Sequence, residues 1–158
     1  MSRIAILEDD PLVGRHTADV IGELVRFEAV LATSTAAQAP AIEGSAAVIV
    51  GAQFGGRPLA ASVAAARARD PHRPVLVVCP NGDADAIDAA AALVGALAVV
   101  TRPVTAAALL PRLVAALDRA ALARSVDELT RQLDARDRAL ASTMALSLIH
   151  ISEPTRPY

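Results

Sequence analysis

Short runs of strand-forming residues alternate with alanine-rich helical stretches along most of this 158-residue chain, and no other feature constrains the fold as tightly. Arg3–Leu7, Ala29–Ala32, Ala46–Val50, Pro74–Cys79 and Leu97–Thr101 read as strands. The last three carry nearly continuous apolar cores, Ala-Val-Ile-Val, Val-Leu-Val-Val and Leu-Ala-Val-Val, as strands buried on both faces require. Between them, Pro11–Leu24, Thr35–Ile42, Arg57–Arg69, Asp83–Val94 and a long stretch from Thr105 onward carry helical periodicity. Asp83 is placed to cap its helix and Gly95 to stop it. Pro111 either kinks the last helix or marks the start of its regular part near Leu110. Strands and helices in strict alternation imply an α/β fold, a doubly wound parallel sheet covered on both faces. Function in such sheets gathers at the carboxyl ends of the strands, beside the switch point in strand order.

Composition removes several functions. Apolar residues make up 54% of the chain and 37 residues are alanine, yet the aromatics are only Phe27, Phe54 and Tyr158. The core is therefore aliphatic, and no aromatic platform exists for stacking bases. All 15 basic residues are arginine, which excludes a Walker loop or a Schiff-base lysine. The net charge of −2 argues against direct nucleic-acid binding. Cys79 is the single cysteine, so there is no internal disulfide or cysteine metal cluster. The apolar run from Ala89 to Val100 is too short for a bilayer, and Met1 leads straight into a strand; the expectation is a cytoplasmic protein.

The first strand ends in Glu8-Asp9-Asp10-Pro11. Adjacent carboxylates there suit a Mg²⁺ ion, or form a solvated turn in which Asp10 caps the next helix. The segment from Ile4 to Val13, Ile-Ala-Ile-Leu-Glu-Asp-Asp-Pro-Leu-Val, resembles the opening of response-regulator receiver domains of bacterial two-component signalling. Pro74-Val-Leu-Val-Val-Cys-Pro80 at strand four and Val99-Val-Thr-Arg-Pro103-Val at strand five carry the resemblance on, to about Leu117. It implies a flavodoxin-like (βα)5 sheet of order 2-1-3-4-5. It also implies phosphoryl transfer from a histidine kinase to an aspartate ending strand three, with Mg²⁺ held by the acids after strand one.

The sequence departs from that pattern where the chemistry resides. Gly51 falls at the phosphoacceptor position, and no Asp or Glu lies between Ala46 and Gly56 to replace it. Without a carboxylate oxygen in line with phosphorus the usual transfer has no nucleophile, and Glu8 and Asp9 keep a weakened or lost Mg²⁺ site. Cys79 stands where the family has a hydroxyl, Arg102 where it has lysine, and Val99 where it has the aromatic switch residue. Pro103 matches, and the family's bond before it is usually cis. These positions, with Asp10, form a vestigial pocket with no catalytic residue. Arg102 is expected to fold over Glu8 and Asp9 as their counter-charge in place of metal. His16 reads as a surface histidine, His72 as loop filler, and Gly55-Gly56 as a flexible loop without dinucleotide-site spacing.

The last helix outruns a receiver's need. Leu122, Val126, Leu129, Leu133 and Leu140 fall on a and d positions of a heptad pattern broken by Arg136, which suits a parallel dimer seam or a helix packing back on its own or a further domain. Residues 118–145 thus read as an amphipathic coiled-coil signalling helix after a receiver-like domain over 1–117. Residues 146–156 resemble the in-frame translation of a transposase sequencing adapter, so 146–158 is expected to be an artefact tail in which His150 and Tyr158 carry no function. The reading is a regulatory module, not an enzyme, that works without cofactor. It would act through itself, a histidine kinase or an output domain beyond this segment, with no membrane or nucleic-acid contact. Alternatives are a response regulator switched by another ligand or modification, and a small flavodoxin-like nucleotide-binding enzyme.

Overall fold

A computed structural model describes the backbone of residues 1–152 and the side chains of residues 1–148. The strands are β1 (Ser2–Leu7), β2 (Phe27–Ala32), β3 (Ala47–Gly51), β4 (Val75–Cys79) and β5 (Val99–Thr101). The helices are α1 (Pro11–Glu23), α2 (Thr35–Ile42), α3 (Leu59–Arg67), α4 (Ala84–Val94) and α5 (Ala106–Ser152). All strand pairs are parallel, in the order β2-β1-β3-β4-β5. The α/β, flavodoxin-like architecture read from the sequence is the observed one.

Alternation along each strand divides the core. Ile4, Ile6, Ile49, Leu76, Val78 and Val100 face one side, where Val20 and Ile21 of α1 and Leu109 and Leu113 of α5 cover them. Ala5, Leu7, Val48, Val50 and Val75 face the other, beneath Ile42 of α2 and Val63 and Ala66 of α3. Val77, Cys79 and Val99 meet Ala90 of α4. Every residue of β3 and β4 is buried, which is why those runs carry no polar alternation.

Boundaries differ from the sequence reading where backbone requirements intervene. Gly95 adopts φ +90° after α4, and Ala96–Ala98 then make one 3-10 turn, so β5 begins at Val99 rather than Leu97. Arg57 is not helical; α3 starts at Leu59, after Pro58. Pro111 sits inside α5, which is regular from Ala106, so the alternative start near Leu110 does not hold. The Thr105 hydroxyl accepts from the Ala108 N–H at 3.2 Å at that helix start. The helix continues past Ala145 to Ser152, because no proline interrupts it before residue 154. Of the expected tail, the side chain of His150 and all of Tyr158 lie outside the described residues.

The chain divides into a compact unit over Met1–Ala121 and a second from Leu122 onward. In the second, Leu122, Val126, Leu129, Leu133 and Leu140 are 53–66% exposed. No described helix is long and apolar enough to cross a membrane.

Candidate functional site at the strand ends

The carboxyl end of the sheet brings the β1, β3, β4 and β5 termini together, and its two halves behave differently. On the acidic side, Asp10 is spent on the backbone. Its Oδ1 accepts from the Leu12 and Val13 N–H groups at 2.9 and 3.4 Å, with Pro11 at the first helical position, so it caps α1. Glu8 turns inward and is buried; its Oε1 accepts from the Asp10 N–H at 3.2 Å. Asp9 reaches across to the loop after β3, where its Oδ2 accepts from the Gly55 N–H at 2.9 Å.

Gly51 ends β3 directly beneath Glu8. A Cβ on residue 51 would collide with Glu8 Oε2 and lie 2.9 Å from Glu8 Cδ. The carboxylate carried by β1 therefore fills the space that a side chain on β3 would need. The absence of a side chain on Gly51 is what lets Glu8 lie there.

On the basic side, backbone contacts hold the end of β5. Arg102 N–H donates to the Cys79 carbonyl at 3.0 Å, and the Arg102–Pro103 peptide bond is cis. Cys79 is fully buried, and its Sγ lies 3.7 Å from the Ala86 carbonyl of α4, turned toward that helix. Burial, reinforced by the negative charge of Asp83 and opposed by Arg102, pushes the thiol pKa up. A neutral, inward-facing thiol is a poor partner for an anion. Val99 packs with Val77 and Cys79 in the core beneath α4.

Arg102 does not bridge to the acids. Among the described residues it makes no ion pair with Glu8 or Asp9, and its Nε is buried without a partner. The expectation of an arginine replacing the metal is corrected. Backbone N–H groups of Asp10 and Gly55 each donate to one of the two carboxylates. For Mg²⁺, Glu8 and Asp9 are the two carboxylates at hand, and each already accepts an N–H. No three His, Cys, Asp or Glu side chains converge among the described residues.

Two contacts were not legible in the sequence. Gly55 appeared only as a flexible loop, but its φ of +69° turns its N–H onto Asp9. His16 is exposed, as a surface histidine should be, yet its Nε2–H donates to the Val104 carbonyl at 2.8 Å and ties α1 to the β5–α5 loop. Both pairings join residues more than 40 positions apart, so local spacing carries no signal for them. His72 closes a local turn, its N–H donating to Asp70 Oδ1 at 3.1 Å.

No family model matches the chain, and no curated protein matches it in sequence. Solved structures do match. A response regulator receiver domain protein from Clostridium thermocellum is 20% identical, with TM-score 0.64 over 77% of this chain and 98% of that one. The fold is the receiver fold. Full-length FixJ from B. japonicum matches 87% of this chain and 68% of its own, at TM-score 0.64 and 19% identity. A protein carrying a yeast Spc42 trimeric coiled-coil segment as a fusion matches 93% of this chain and 99% of its own, at TM-score 0.67 and 16% identity. Against the receiver fold, the Gly51 end of β3 and the Arg102–Pro103 end of β5 occupy the pole where the sequence resemblance places the reactive residues.

Proposed function

We propose that this chain is a response-regulator-type signalling module that acts by protein contact and self-association and does not accept a phosphoryl group. The observation that carries this reading is the Glu8 carboxylate lying over Gly51, in the volume of the missing side chain. A phosphoryl donor meets no acceptor oxygen extending from β3. Glu8 is buried and accepts from the Asp10 N–H, Asp9 is held by Gly55, and Asp10 caps α1. Two committed carboxylates also fall short of the oxygen set that a hard cation needs, which supports work without Mg²⁺. Incubation with acetyl phosphate and Mg²⁺, followed by intact-mass measurement, is expected to show unmodified protein. A stoichiometric phosphoryl adduct would overturn the reading.

Contact surfaces fit this role. Around α4 and β5, Ala89, Ala92, Leu93 and Leu97 are exposed, small or aliphatic groups that let another backbone approach closely. Along α5, Val126, Leu133 and Leu140 at a positions and Leu122 and Leu129 at d positions support a parallel self-pair, passing its state to an output module. Single cysteines test the orientation, because native Cys79 is buried and does not compete. In a parallel, in-register pair, Leu122→Cys and Leu140→Cys each cross-link to their own copy on mild oxidation. Cross-linking only in a mixture of the two variants would mean an antiparallel pair, and none in any sample would remove self-association through this helix.

A further inference from the structure

A second concavity lies away from the strand ends, between α2 and α3 on the flank of the Met1–Ala121 unit. It encloses about 470 Å³, within the range of small-molecule sites. Ala39 and Ile42 contribute apolar lining, and Gln38, Arg57, Arg69 and Arg73 are among its polar lining residues.

The state of those groups is what points to a ligand. Gln38 is only 6% exposed, and its amide makes no hydrogen bond among the described residues. Its amide atoms are not among the buried unpaired ones, so they reach solvent in the cleft and are open to a ligand. Arg57 makes no ion pair or hydrogen bond among the described residues. Arg73 is fixed through Nη1, which donates to the Ala66 carbonyl at 2.8 Å, while its Nε is buried without a partner. Arg69 is ion-paired with Glu43 at 3.6 Å, and both are largely solvated. Three arginines against one glutamate leave this cleft positive in a chain whose net charge is −2.

Guanidinium groups present flat forks of N–H donors that match phosphate oxygens, and weak hydration lets them work partly buried. The cleft contains no aromatic residue, so affinity for a base ring has no source there. We propose that the α2–α3 cleft binds a small polyphosphate-bearing anion, with Arg57 and Arg73 on its charge and the Gln38 amide completing its hydrogen bonds. This assignment is independent of the fate of Gly51.

Calorimetric titration of the full chain with inorganic pyrophosphate tests it, with adenosine and citrate as comparisons. Pyrophosphate is expected to bind saturably and more weakly as salt rises, while adenosine does not bind. Arg57→Gln, which removes no ion pair or side-chain hydrogen bond among the described residues, should weaken pyrophosphate at least about tenfold with an unchanged melting temperature. Gln38→Leu should weaken it as well. Absence of saturable binding at millimolar pyrophosphate, equal binding by Arg57→Gln, or equally tight binding of citrate would each overturn the assignment.

Discussion

The unit over Met1–Ala121 and the helical segment from Leu122 onward use similar aliphatic residues to opposite ends. In the first, Ile4, Ile49, Leu76, Val77, Leu109 and Leu113 are at most 1% exposed. In the second, Leu129 and Leu133 are each 59% exposed. An aliphatic side chain lowers free energy only when something covers it, at about 25 cal/mol per Å² removed from water. The sheet supplies that cover within one chain. A lone helix cannot, so a leucine stripe there is a feature that a second surface must complete. Hydrophobic pattern alone therefore reports a buried face without saying whether its partner is internal.

The contrast can be broken most sharply at Leu76. It lies at the centre of the sheet, paired across to Ile49 and fully buried, so Leu76→Ala should cost roughly 2–5 kcal/mol in denaturant unfolding. Next in size is the contact between Glu8 and Gly51. Gly51→Ala should cost about 1–3 kcal/mol because the new methyl displaces a buried carboxylate. The same change made in a Glu8→Ala background should cost much less, and a strictly additive cycle would refute the steric account.

A smaller effect belongs to Cys79. Its folded pKa is raised, so the native state keeps the thiol protonated after the unfolded chain has begun to ionise. The contribution is complete below the unfolded thiol pKa and is lost as pH rises toward the raised native one. Stability should thus fall on the alkaline side, and Cys79→Ala should flatten that slope. The smallest change in fold stability is expected for Leu129→Ala, within about 0.5 kcal/mol for the separated chain. Sedimentation at rising concentration should nevertheless show it weakening self-association, which separates the two kinds of leucine in one variant.

Much of the strand-end site was legible because each of its positions sits at a fixed offset from a strand. Once β3 is read as Ala46–Val50, the receiver resemblance points to Gly51 as the next residue, which the structure makes the last of the strand, and Arg102–Pro103 follows strand five in the same way. Asp10 was legible as a cap because capping is local. The expected Arg102 bridge failed for a comparable reason. Opposite formal charges suggested a pair, but the sequence does not reveal that nearby amides reach the acids first.

The order and type of the elements, the two-sided burial of β3 and β4, and the lack of a carboxylate on β3 are set by the residues alone. Those properties depend on periodicity, strand length and residue identity, which act over a few positions. Folding alone places Glu8 over Gly51, sets Asp9 on Gly55, ties α1 to Val104 through His16, and gathers Gln38 and three arginines around one cleft. These contacts join residues far apart in the chain. Their geometry exists only after parallel strands and right-handed crossovers have stacked the elements, so no local rule could have placed them.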